Sequence, residues 1–127
     1  MEFVFLIGRL IFGGYFIMNG WNHFAQKNSL TEYARSKHIA SPELAVTLSG
    51  AILFVSGLCI ILGIFVDISL LALALFLFIV SFTMHAFWKD TDPASKMNNQ
   101  INFMKNMALL GASLMMLNIE SWPLTLF

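Results

Sequence analysis

The chain has 127 residues, of which 58% are hydrophobic and 11% charged, and its seven bases balance its seven acids to a formal net charge of zero. An average soluble domain carries roughly 25% charged residues, so this chain lacks the polar groups to cover a soluble surface, and its mean hydropathy of +0.78 agrees. No basic stripe is present to neutralise phosphates, so no nucleic-acid partner is expected. The single cysteine, Cys59, excludes an intrachain disulfide, a CxxC redox pair and a thiolate zinc site, and reads as a small buried hydrophobe.

Taken in chain order, the first element is an apolar run over 3–24. It has no basic stretch before it and no small-residue cleavage site after it, so it reads as a retained helix. A loop over 25–43 follows, with a short amphipathic turn near 30–36 where Leu30, Tyr33 and Ala34 share a side. Ser41-Pro42-Glu43 is a helix start signal, with a cap residue, proline at the first position and an acid in the first turn. The second span runs over 44–62. The connection 63–67 is short, so the third span, 68–88, must be its antiparallel neighbour. The loop 89–100 is the most polar stretch, and Asp92-Pro93 is read there as a helix breaker. The fourth span, 103–119, is the shortest. Spanning helices need about 20 mostly apolar residues, so the expectation is a single-domain, all-α membrane protein: an antiparallel four-transmembrane-helix bundle over 1–127.

Cations in the short loops predict orientation. The loops over 25–43 and 89–100 hold Lys27, Arg35, Lys37, Lys89 and Lys96, with Lys105 just beyond, against Arg9 alone on the other side. Both loops are therefore placed in the cytoplasm and both termini outside. Helix association in lipid relies on small residues and interhelical hydrogen bonds. Gly13 and Gly20 lie seven apart in the first helix. Ser49-Gly50, Ser56-Gly57 and Gly63 repeat along the second, and Ala108, Gly111 and Ala112 mark the fourth; these faces are expected to meet.

Polar groups at membrane depth are functional candidates. Alternating helix directions bring Asn19, Asn22 and His23, His85 and Trp88, and Asn102, Lys105 and Asn106 to one level. Arg9, Gly13, Phe16, Gly20 and His23 follow four-three spacing and share one face; Ser81, His85 and Trp88 do likewise. Asn19, Asn22, His23, His85, Trp88, Lys105 and Asn106 could form a polar cup for a lipid head group or a quinone ring. Equally, they could tie helices together, with Trp88 and Lys105 as interface anchors. Two histidines without a third ligand make only a weak metal site, so no metal is expected. Arg9 either snorkels to the outer interface or forms an ion pair with Asp67 or Glu120.

The stretch from Gly8-Arg9 through Gly13-Gly14 to Gly20-Trp21-Asn22-His23-Phe24 resembles the first helix of the DoxX family of membrane proteins. Ser41-Pro42-Glu43 through Gly50, Gly57 and Leu62-Gly63 resembles the second helix of that family. His85-Ala86-Phe87-Trp88 resembles its third-helix ending, and Phe103-Met104-Lys105-Asn106 with Gly111 its fourth-helix start. The resemblance implies a multi-pass, four-helix protein of the bacterial inner membrane. Some relatives are linked to quinone-dependent oxidation of sulfur compounds and others to redox-stress assemblies. Family members often carry a glutamate midway along the second helix, where this chain has Leu53-Phe54-Val55.

The leading functional expectation is a non-catalytic subunit, or a quinone- or lipid-binding bundle, serving a membrane redox or oxidative-stress system. The sequence has no flavin or dinucleotide motif and no thiol pair, so no intrinsic cofactor is expected. Electrons would come from a redox-protein partner; a homo-oligomer is the other association considered. One alternative is a small transporter, disfavoured because every acid lies at a helix end or in a loop. The other is a structural assembly factor without a small ligand.

Overall fold

The computed structural model describes residues 1–125, which are all-helical apart from turns and a short extended tail. The elements are α1 (Glu2–Ala25), α2 (Lys27–Ser36), α3 (Pro42–Leu62), α4 (Val66–Thr83), a 3-10 turn (Phe87–Lys89) and α5 (Pro93–Met116). Three segments are long and apolar enough to cross a membrane: α1, α3, and α4 with the turn that follows it. Their outward side chains include Phe3, Ile11, Val55, Leu71, Leu75 and Phe78, all exposed. So much apolar surface suits lipid, since hydrocarbon leaves only backbone groups to be satisfied internally, which helices do.

The fourth expected span is a helix, but a different one from that anticipated. It starts at Pro93, about ten residues early, because Asp92-Pro93 opens it rather than breaking it. The Asp92 carboxylate accepts from the Ser95 amide at 3.0 Å and the Ser95 hydroxyl at 2.9 Å. Proline suits the first helical position, where its missing N–H has no partner to lose. The first turns of α5 are polar, and the helix stops at Met116 rather than near 119. The apolar part, 103–116, is only about 21 Å long at 1.5 Å per residue.

α4 likewise ends sooner than expected, at Thr83, so His85 lies in the connection beyond it and Trp88 on the 3-10 turn, not on one helical face with Ser81. The amphipathic turn expected near 30–36 is a full ten-residue helix, α2, burying Thr31 and Ala34. Ser41 occupies the cap position of α3 in a left-handed conformation, and its hydroxyl makes no capping bond.

Small residues decide how α1 meets α3. A Cβ on Gly13 would lie 2.7 Å from the Gly57 carbonyl oxygen, and one on Gly57 would lie 2.5 Å from the Gly13 oxygen. At the next crossing a Cβ on Gly20 would lie 2.7 Å from the Gly50 oxygen. Backbone meets backbone at both places, the small-residue packing that membrane helices use. Gly111 takes no part: a Cβ there would meet nothing within 4 Å. Gly63 is not on the packing face either. It ends α3 with φ +77°, its amide bonded to the Cys59 carbonyl.

The helices form a curved row in the order α1, α3, α4, α5, with α2 against α3. Phe16, Leu53, Ile60, Leu70, Leu73 and Leu77 fill its inner side. No Cα atom of α1 lies within 8 Å of one in α5 at the described residues, so the row has a gap between its ends.

Candidate functional site

That gap is bridged at one end and hollow at the other. At the end that carries the N-terminus lies Arg9, 3% exposed. Its guanidinium donates to the carbonyls of Ile60 (3.2 Å), Ile61 (2.5 Å), Leu124 (3.1 Å) and Pro123. Ile60 and Ile61 belong to the last turn of α3, where carbonyls lack helical partners and the helix dipole favours a cation. Trp122 adds its ring 5.7 Å from the guanidinium and packs edge-on against Phe5. The expected ion pair with Asp67 or Glu120 does not form, and both acids are exposed. Main-chain acceptors at a helix end spare the cost of desolvating a carboxylate.

At the other end the hollow is a cavity of about 560 Å³ touching all five helices. Phe16, Val46, Leu53, Phe76, Leu77 and Val80 make most of its wall apolar. Leu30, Tyr33 and Ala34 of α2 close the end, with charged Lys27, Glu32 and Arg35 elsewhere on that helix. The polar groups come from separate elements: Tyr15, Asn19 and His23 from α1, Tyr33 from α2, Ser49 from α3, Thr83 from α4, His85 from the connection after it, and Asn102, Lys105 and Asn106 from α5. Lys105 places its ammonium 5.7 Å from the Tyr15 ring, spanning the gap between α1 and α5.

Of the seven residues anticipated for a polar cup, Asn19, His23, His85, Lys105 and Asn106 line this cavity. Asn22 and Trp88 do not: Asn22 is on the exposed side of α1, and Trp88 packs in an aromatic cluster with Phe82, Phe87 and Phe103. Among the described residues the fully buried side-chain atoms without a partner are Thr31 Oγ1, Ser81 Oγ and Trp122 Nε1; Asn106 differs in opening onto the cavity. It is 6% exposed, and its side chain has no hydrogen-bond partner among the described residues. Buried amides are normally bonded, and this one borders open space.

His85 is held by a chain of bonds that begins at the protein rim. Lys37 pairs with Asp90 at 3.7 Å, Asp90 accepts from Asn99 Nδ2 at 2.8 Å, and Asn99 Oδ1 lies 3.2 Å from His85 Nδ1. Tyr33 of α2 donates to the same Asn99 oxygen and to the Met84 carbonyl. Asn99 and Tyr33 are thus the residues that sequence reasoning missed. A signal for Asn99 exists in the seven-residue spacing Asn99, Asn106, Ser113, the three buried positions of α5, but the assumed loop over 89–100 hid it.

An all-helical chain with several helices long and apolar enough to cross a membrane, and a cavity at its polar end, is a small membrane protein. The DoxX family profile matches residues 4–86, most of the chain, which therefore belongs to the DoxX family. No curated protein and no solved structure gives a significant match.

Proposed function

We propose that this DoxX-family protein is a non-catalytic binding bundle of the bacterial inner membrane that holds an amphiphile with a polar ring or head group, a quinone or a lipid, for a membrane redox system. The observation that carries this reading is the unpartnered amide of Asn106, a residue 6% exposed, which opens onto a mostly apolar cavity of about 560 Å³. Pockets for small molecules commonly have that character: apolar walls with a few placed polar groups, in a volume of roughly 300–1,000 Å³. The apolar wall suits a tail or ring, and the Asn, His and Lys groups suit its polar end.

In this reading α5 is the fourth crossing helix. Its short apolar part is accommodated by local thinning of the bilayer, and the end bearing α2 and the start of α5 faces the cytoplasm under the positive-inside rule. Redox chemistry belongs to a partner's cofactor. The test is native mass spectrometry of protein extracted in mild detergent, with quinone and lipid analysis of whatever dissociates. The reading expects a specific bound amphiphile in the wild type that His23→Ala/Asn106→Leu loses. Equal, unspecific lipid adducts on both proteins would remove the binding role.

A further inference from the structure

The two cavity histidines have their tautomers fixed by what each Nδ1 faces. His23 Nδ1 lies 2.8 Å from the main-chain carbonyl of Asn19. A carbonyl oxygen can only accept, so in the neutral ring Nδ1 carries the hydrogen. For His85 the logic starts one residue further out. Asp90 is a carboxylate and can only accept, so it takes the amide nitrogen of Asn99. That leaves Asn99 Oδ1 facing His85 Nδ1, and again Nδ1 must donate. Both rings are then left with a bare Nε2 lone pair, which no protein group bonds among the described residues. Asn19 makes a third acceptor: its Nδ2 donates to the Tyr15 carbonyl at 3.2 Å, so its side-chain oxygen is the atom left over.

The other polar groups of the cavity offset this bias only in part. Asn106 can present either end of its amide and Tyr15 can donate or accept, so both adapt to the ligand. The fixed donors are the Lys105 ammonium, on an exposed side chain and already near Asn102 Oδ1 at 3.4 Å, and the Asn102 Nδ2 that this contact leaves over. Water can satisfy the three acceptors in an empty cavity. A ligand that displaces it must replace those bonds or leave acceptors unpaired, at about 1–3 kcal/mol each.

We propose that the cavity selects an amphiphile whose aromatic head carries hydroxyl donors, as a phenol or hydroquinone does, over the corresponding head that only accepts. The proposal rests on the binding role given above and adds the chemical class of the head. In it Asn99 and Asp90 are positioning residues: they touch no ligand and act by holding the proton on His85 Nδ1.

Two measurements on the wild-type protein in lipid nanodiscs test this, both at about pH 8, where an ordinary imidazole is neutral. The first compares binding of 4-nonylphenol with 4-nonylanisole, which keeps ring, tail and oxygen but replaces the hydroxyl hydrogen by methyl, each referenced to its partition into empty nanodiscs. The phenol should bind about tenfold tighter or more. Equal binding of the two would overturn the donor preference while leaving a binding cavity intact. Binding of neither would overturn both the preference and the binding role. The second is nitrogen-15 NMR of ring-labelled histidine, which distinguishes protonated from bare ring nitrogens without any variant. His23 and His85 should show a protonated Nδ1 and a bare Nε2, and Asn99→Leu should change the His85 pattern alone. A protonated Nε2 on both rings of the wild type would contradict the proposal.

Discussion

The two ends of the gap between α1 and α5 carry similar ingredients and use them in opposite ways. At the end that carries the N-terminus a buried arginine has several donors, and main-chain carbonyls take them up. At the polar end a buried asparagine and two histidines keep groups that no protein atom takes. Both ends hold polar side chains inside a membrane protein, where such groups are costly. The Arg9 end satisfies its guanidinium internally, although the Trp122 Nε1 beside it stays buried without a partner among the described residues, and it is a fastening, joining α1, the end of α3 and the C-terminal segment. The polar end leaves it unresolved beside a cavity, and that end is where a ligand has something to gain.

The largest expected effect lies at the fastening. Arg9→Met leaves four carbonyls without their donor and should lower stability by on the order of 3 kcal/mol, read as a large fall in the thermal midpoint in detergent. Arg9→Lys should recover only part, because one ammonium cannot serve carbonyls that a guanidinium fork reaches together. Ligand affinity per folded molecule should hardly change in either variant; a selective loss of affinity would mean that the two ends are not separate in function.

Next comes the backbone crossing of α1 and α3. Gly57→Ala pushes a methyl against the Gly13 carbonyl and should cost about 2 kcal/mol through separation of α1 from α3. Gly111→Ala has open space and should be neutral or stabilising by about 0.5–1 kcal/mol, the usual helical gain. Thermal melts of the pair sharpen the contrast, since composition treats the two glycines alike and packing does not.

At the polar end Asn106→Leu breaks no protein hydrogen bond, so stability should hold or rise while affinity for the bound amphiphile falls about tenfold. Parallel melting and binding curves check this; a loss of stability as large as that of Arg9→Met would make Asn106 a fastening too. The smallest effect belongs to the α5 cap. Hydrogen bonds from Ser95 hold the Asp92 carboxyl below its usual range, so the cap stabilises the ionised form. Its contribution is present above the ordinary carboxylate range and lost as the pH falls through and below it. Asp92→Ala should lower the midpoint slightly near neutral pH and have no effect in strong acid.

What was legible in the sequence follows from what periodicity can carry. The shared face Arg9, Gly13, Phe16, Gly20 of α1 is buried as its spacing predicts, because one helix fixes those positions by itself. The convergence of Asn19, His23, His85, Lys105 and Asn106 on one level follows from antiparallel connection alone. Other features depended on partners that spacing does not name. Arg9 chose carbonyls over Asp67 or Glu120, and main-chain acceptors are the same in every sequence. The α5 start was misread because Asp-Pro both ends one helix and opens another, and only the Ser95 bonds distinguish the two. Asn99 was lost with that boundary, and with it the chain of bonds that orients His85.

The most direct test of the central claim is photo-crosslinking in nanodiscs with an alkylphenol bearing a diazirine on its tail, followed by mapping of the adducts. The account predicts adducts concentrated on cavity residues such as Ile52, Phe76 and Val80, competed away by unlabelled 4-nonylphenol and reduced in Asn106→Leu. Adducts spread over lipid-facing Phe3, Ile11 and Leu71, indifferent to competitor, would contradict it.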